Sequence, residues 1–123
     1  MSKRRSKLIE KADEVFSVYV RTRGENFGYN TCYTCGMSFQ WRDMDAGHFI
    51  YRRYLNTRWH PVNVWPQCQT CNRGKEGNLE VYEKKLRAQF GDDAIDGLFI
   101  LARSFEPVTD EYIENIIKTY KNY

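Results

Sequence analysis

No run of apolar residues in this chain approaches the ~20 needed to cross a bilayer as a helix. The N-terminus, MSKRRSKLIEKADEVF, is basic but carries no apolar stretch behind its charges, so no secretory signal is expected. Repeats, low-complexity tracts and linkers long enough to separate domains are also missing, and 123 residues are expected to form a single domain with a modest core. Hydrophobic residues at 41% and charged residues at 28% are ordinary proportions, which excludes disordered and membrane classes. Histidine is scarce, with only His48 and His60. A cytoplasmic protein, in a compartment that keeps thiols reduced, is the expectation.

In such a compartment four cysteines read as metal ligands before they read as disulfides. Cys32-Tyr-Thr-Cys35 and Cys68-Gln-Thr-Cys71 form two C-x-x-C pairs separated by 32 residues. Each pair sets two thiolates on one tight turn, and two pairs complete a closed tetrahedral Zn²⁺ site with no position left for water. The zinc is therefore expected to be structural, pinning the start of a hairpin to the start of the helix that follows. A redox role would need one pair in a thioredoxin-like βαβ setting, which the pattern lacks.

The net charge of +3 is unevenly spread. Lys3, Arg4, Arg5, Lys7 and Lys11 crowd the first helix, and Arg42, Arg52, Arg53, Arg58, Arg73 and Lys75 lie near the cysteines. Acids gather later, in GDDAIDG and FEPVTDEYIE. That asymmetry implies a face for a polyanion, although for the first cluster helix solubility is an equal explanation.

Apolar spacing predicts an amphipathic helix over about 6–22, ended near Gly24. A cysteine knuckle and a β-hairpin follow, with strands near His48–Ile50 and Val62–Trp65, inside a core of about 31–78. A helix is expected to start after Pro66 and run through CNRGKEG into NLEVYEKKLRAQF. Gly91 should stop it and Asp92 cap the next helix. A last helix, TDEYIENIIKTYKNY, places Tyr112, Ile113, Ile116, Ile117 and Tyr120 on one face and completes the helices of about 78–122. The fold class is α+β.

Taken singly, the polar residues near the cysteines have bland readings. His48 could be a packed imidazole, Asn63 a turn cap, and Asn72 a helix N-terminal residue. His60, before a proline in a turn, reads as structural or as a DNA contact. Phe49, Tyr51, Tyr54, Trp59 and Trp65 read as a small core in preference to a base-stacking platform.

Taken together, the order His48, Asn63, Asn72 on a strand–strand–helix unit resembles the HNH, or His-Me finger, nuclease superfamily. The zinc arrangement is similar to that of phage endonuclease VII. The stretches CYTCG, DAGHF, TRWHPVNVWPQC and CNRGKEGNLEVY resemble the NinG (Rap) family of lambdoid phage recombination nucleases, over about residues 8–120. This resemblance implies a small ββα-metal core surrounded by helices. It also implies a metal-dependent endonuclease acting on branched DNA such as Holliday junctions, in the cytoplasm of a bacterial host. Two symmetric cuts at a junction would call for a homodimer, with the N- and C-terminal helices as candidate contacts.

On that reading His48 is the general base, and the side-chain carbonyl of Asn63 holds its other ring nitrogen. Asn72 offers an oxygen to Mg²⁺ or Mn²⁺. The residue before the base is Gly47, where many relatives in the superfamily carry a ligand. Asp45 is then expected to reach the ion through a bulge at Ala46–Gly47, with Glu76 in reserve. Arg52, Arg53, Arg58, Arg73 and Lys75 become phosphate contacts, Arg58 foremost. The rival readings are a nickase or restriction-like nuclease without junction preference, and a non-catalytic zinc module that binds DNA.

Overall fold

The computed structural model describes all 123 residues. Helix α1, Lys3–Thr22, begins three residues earlier than its apolar pattern because Ser2 caps it, accepting the Arg5 amide. Its buried stripe of Ile9, Ala12, Phe16 and Val20 packs on the last helix, α5 (Asp110–Tyr120), through Ile113, Ile116, Ile117 and Tyr120. Thr109 caps α5 by accepting the Tyr112 amide, and Tyr112 itself faces solvent. Arg4 and Arg5 both pair with Asp110 at 2.8–2.9 Å, so part of the basic N-terminal cluster is neutralised within the chain. The two helices named as candidate dimer contacts thus turn their apolar faces toward each other.

Strands β1 (Tyr29–Thr31) and β2 (Ser38–Gln40) form a short hairpin whose tip carries Cys32 and Cys35. A second two-stranded sheet pairs β3 (Asp45–His48) with β4 (Val64–Gln67), antiparallel, with Asp45 opposite Gln67 and His48 opposite Val64. Both strands lie a little further from the turn than their hydrophobicity predicts. Past His48 the ladder makes one more bond, Phe49 amide to Asn63 carbonyl at 2.9 Å. The Asn63 side chain then replaces the strand partner by accepting the Ile50 amide at 2.7 Å. Since Phe49 and Asn63 form a hydrogen-bonded pair, alternation puts Pro66 at a non-bonded position, and the strand tolerates its missing N–H.

Pairing is unbroken from Asp45 to His48, so the expected bulge at Ala46–Gly47 does not exist. Gly47 serves a different purpose. A Cβ there would lie 1.9 Å from Oε1 of Gln67, whose fully buried carboxamide donates to Thr34 Oγ1 and the Gly77 carbonyl. The Gly47 carbonyl in turn accepts the Tyr82 hydroxyl at 2.6 Å.

The helix expected to run on from Pro66 is broken in two. Residues Thr70–Gly74 form one wide π turn, Glu76, Gly77 and Asn78 are all left-handed, and α3 begins only at Leu79, ending at Phe90. The break lets the Gly77 amide and the Asn78 side chain turn back onto Cys71, which a straight helix would carry away. Helix α4, Asp92–Ala102, starts from Gly91 at φ 90°, so Asp92 is its first residue and not its cap. The Asp92 carboxylate instead accepts from Arg87. Tyr82 and Leu86 of α3 and Ile95, Leu98 and Ala102 of α4 close over Phe49 and Ile50 as a second core. The remaining helix, α2, is one turn, Leu55–Arg58.

The sulfurs of Cys32, Cys35, Cys68 and Cys71 lie within 4.8 Å of one another and form no disulfide. Four thiolates at ~2.3 Å from one Zn²⁺ stand about 3.8 Å apart in a tetrahedron, and Cys35 and Cys68 are 3.9 Å apart. Burial pushes the Cys68 thiol up to about 12, with charge on Cys32 adding to the effect. Burial also raises Cys32, but the Thr34 hydroxyl and nearby amides outweigh it and bring that thiol to about 6. Cys32 ionises readily while burial makes Cys35 and Cys68 resist, which is the demand a divalent cation meets. The cluster can hold zinc.

Gly47→Ala is expected to destabilise the fold by about 1–3 kcal/mol, because the buried Gln67 side chain has no free volume into which to retreat; urea denaturation measures it. Removing the metal with a chelator should unfold the β3–β4 sheet and the π turn, since binding and folding are coupled in small metal domains. A circular dichroism spectrum that does not change would remove the cysteines from that role.

Candidate functional site

Beside the cysteine cluster a cleft of about 950 Å³ opens along β3. Asp45, Ala46 and His48 reach it from the strand, Asn72, Arg73 and Glu76 from the π turn and the residues after it, and Asp13 from α1. The clasp thus brings Asp45 and Asn72 together without any bulge. Asn72 Nδ2 donates to Asp45 Oδ2 at 2.9 Å, and Arg73 spans both carboxylate oxygens at 2.8 and 2.9 Å. Asp45 is mostly shielded, whereas Arg73 is open to solvent. Glu76, the reserve ligand, lines the same cleft from an exposed left-handed turn.

His48 is held by a main-chain group. Its Nε2 lies 2.9 Å from the Arg58 carbonyl, at the C-terminal end of α2, where a helix leaves carbonyls unpaired. A carbonyl only accepts, so Nε2 must carry the proton and Nδ1 keeps its lone pair, with no protein group bonded to it. Burial lowers the imidazole pKa to about 4. The bond to Arg58 and the Asp13 charge oppose that shift, while the Arg52 and Arg58 charges reinforce it. The ring is neutral at pH 7.

Asn63 does not touch the imidazole, contrary to the role its spacing implies. At 0% exposure, its carboxamide accepts the Ile50 amide and donates to the carbonyls of Ile50 and Thr57. It closes the base of the 50–63 loop, and that loop supplies the Arg58 carbonyl. Its action on His48 therefore passes through the backbone.

Arg58 is not the free phosphate clamp its position promises. Only 15% of its side chain is exposed. Its Nε and Nη2 donate to the Asp13 carboxylate at 2.9 and 2.6 Å, and Nη1 donates to the Arg52 carbonyl. Trp59 Nε1 and Arg52 Nη2 also donate to Asp13, each at 2.9 Å. Burial pushes that carboxyl up, but these donors and charges prevail and hold it below the ordinary range. Asp13 is the cleft residue that sequence reasoning misses, yet a signal for it exists. With Ile9, Phe16 and Val20 it lies at i, i+4, i+7, i+11 spacing, an acid set in the buried stripe of α1.

Of the other basic residues, Arg52, Arg53 and Lys75 are exposed, Arg53 lying over the Tyr54 ring. His60 is structural: its Nδ1 accepts the Val62 amide. Phe49 and Trp59 are buried as expected of core, whereas Tyr51 is 57% exposed and lines the cleft.

A family model described as "Bacteriophage Lambda NinG protein" matches residues 1–123. Over 97 residues, 76% of this chain, the chain is 33% identical to "Protein ninG" of Escherichia phage lambda. The proteins of the same name from Escherichia phage 933W and Salmonella phage P22 match with the same identity and coverage. In each case the match takes in 45% of the relative, so this chain spans a little under half the length of those proteins. No solved structure matches. No helix is long and apolar enough to cross a membrane. A family match over residues 1–123, together with relatives 33% identical over 76% of the chain, leaves one conclusion: the chain belongs to the NinG family.

Proposed function

We propose that the chain is a metal-dependent DNA endonuclease of the His-Me finger type, cutting branched DNA such as Holliday junctions as a homodimer in the bacterial host. The observation that carries this reading is the state of His48. A neutral imidazole with Nε2 fixed and Nδ1 open, on the wall of a polar cleft, suits the removal of a proton from water. Asp45 and the amide oxygen of Asn72 are hard donors that suit Mg²⁺ or Mn²⁺, and Arg73 already holds positive charge against both Asp45 oxygens. Such an ion, when bound, would supply charge neutralisation at the scissile phosphate.

The chain's own groups do the rest. His48 takes the proton at Nδ1 and passes it to solvent. Arg73, Lys75, Arg52 and Arg53 offer phosphate contacts, while Arg58 is reserved for Asp13. Selectivity for branched DNA rests on the family resemblance, and a cleavage panel of duplex, single-stranded, flap and four-way DNA tests it. Equal rates on all four would leave a nuclease without junction preference.

His48→Ala is expected to lower the cleavage rate by about 10²–10⁴-fold, the usual worth of a positioned general base, with DNA affinity nearly unchanged. Undiminished cutting would remove His48 from the mechanism. The pH dependence follows from the lowered pKa. The base works only when neutral, so the rate should hold as pH falls through 6.5 and drop only near the folded-state value of about 4. Stability has the same sign: between 6.5 and about 4 the unfolded chain takes the proton first, so the fold loses stability as pH falls through that window. A pH–rate profile and thermal melts at matched pH check both.

A further inference from the structure

Asp13 is the most heavily bonded carboxylate in the cleft wall, and the machinery above makes no use of it. Its Oδ1 accepts Arg58 Nε and Trp59 Nε1, each at 2.9 Å. Its Oδ2 accepts Arg58 Nη2 at 2.6 Å and Arg52 Nη2 at 2.9 Å. Bidentate pairing of this kind fixes the plane of a guanidinium as well as its distance. The same guanidinium reaches back to the Arg52 carbonyl at 3.1 Å, so Asp13, Arg52 and Arg58 close a ring of contacts around the 52–58 backbone. Trp59, at 2% exposure, anchors the far side in the core that α1 shares with α5.

The geometry at the imidazole depends on that backbone. The carbonyl opposite Nε2 belongs to Arg58 itself, 2.9 Å away. Helix α2 spans only Leu55–Arg58, too short to hold its own last carbonyl in place. Asn63 ties the loop at Ile50 and Thr57, and Asn56 ties it to the carbonyls of Ser104 and Glu106. The carboxylate of α1 grips the Arg58–Trp59 end, where that carbonyl sits.

We propose that Asp13 is the positioning residue for His48, acting through the Arg58 main chain to keep the proton on Nε2 and the lone pair on Nδ1. It touches no reacting atom. Its catalytic consequence rests on the nuclease reading, but its effect on the ring does not. A carboxylate on the first helix thereby sets the tautomer of a histidine 35 positions later.

The test is Asp13→Asn in the full chain as purified, read by ¹⁵N chemical shifts of the imidazole in the absence of added divalent metal. In the unsubstituted protein a pyrrole-like Nε2 and a pyridine-like Nδ1 are expected. In Asp13→Asn the two shifts should move toward each other as both tautomers become populated, and Asp13→Glu should restore some of the separation. On four-way DNA, kcat should fall about tenfold or more with KM held within about twofold, as expected when only transition-state geometry is disturbed. A folded Asp13→Asn protein with the original tautomer and unchanged kcat would overturn the proposal. If that variant does not fold, Trp59→Phe, which removes one of the four bonds and keeps an aromatic ring, gives the same reading at smaller amplitude; unmoved shifts there would overturn it too. A chain that cuts no DNA but shows the tautomer shift in Asp13→Asn would sink the nuclease reading and leave the positioning role standing.

Discussion

The cysteine clasp is the constraint on which the rest of this structure depends. The strands of the central sheet are four residues long, and a two-stranded ribbon of that length does not hold itself together in water. Two tight turns that place four sulfurs within reach of one cation supply what the ladder cannot. The position of every group in the cleft follows. The π turn that begins just after Cys68 contains Asn72 and Arg73, and its closure over Cys71 sets them against Asp45 at the start of β3. Loosening the clasp would separate Asp45 from Asn72 before it disturbed either apolar core.

The second constraint is the way one polar loop is tied at both ends. Asn63 stitches residues 50 and 57, and Asp13 grips residues 52, 58 and 59 from α1. Between these ties the loop presents a single carbonyl to an imidazole. A main-chain acceptor has an advantage here over a side-chain carboxylate. It fixes the tautomer without adding a negative charge that would repel a phosphate.

What can be read in the sequence, and what cannot, divides along physical lines. The cysteine spacing makes the clasp legible, because two thiolates on one turn make two corners of a tetrahedral metal site. Asp45 beside Asn72 follows once the clasp is assumed. The partner of His48 cannot be read, because a backbone carbonyl has no letter of its own; spacing offers Asn63 for the contact that Arg58 makes. The role expected of Arg58 fails for the opposite reason. Its charge is plain in the sequence, but the carboxylate that consumes it sits 45 residues away on another helix. The uninterrupted helix after Pro66 fails because periodicity carries no sign that Glu76 and Asn78 adopt left-handed backbone to serve Cys71. Gly47 suggests a kink by its type alone, although it is the bulk of Gln67 that requires a residue without a side chain.

The packing of the first helix against the last bears on how the chain acquires its shape. Arg4 meets Asp110 across 106 positions of sequence, and the apolar stripe of α1 is completed only by Ile113 and the residues around it. Contacts of such separation must wait for nearly the whole chain to be in place, and their loop-closure entropy slows the search. During synthesis α1 would remain undocked until α5 had been made. The wall that α1 contributes to the cleft is therefore among the last surfaces to become ordered, and a nascent chain would carry its sheet and clasp before it carried a complete pocket.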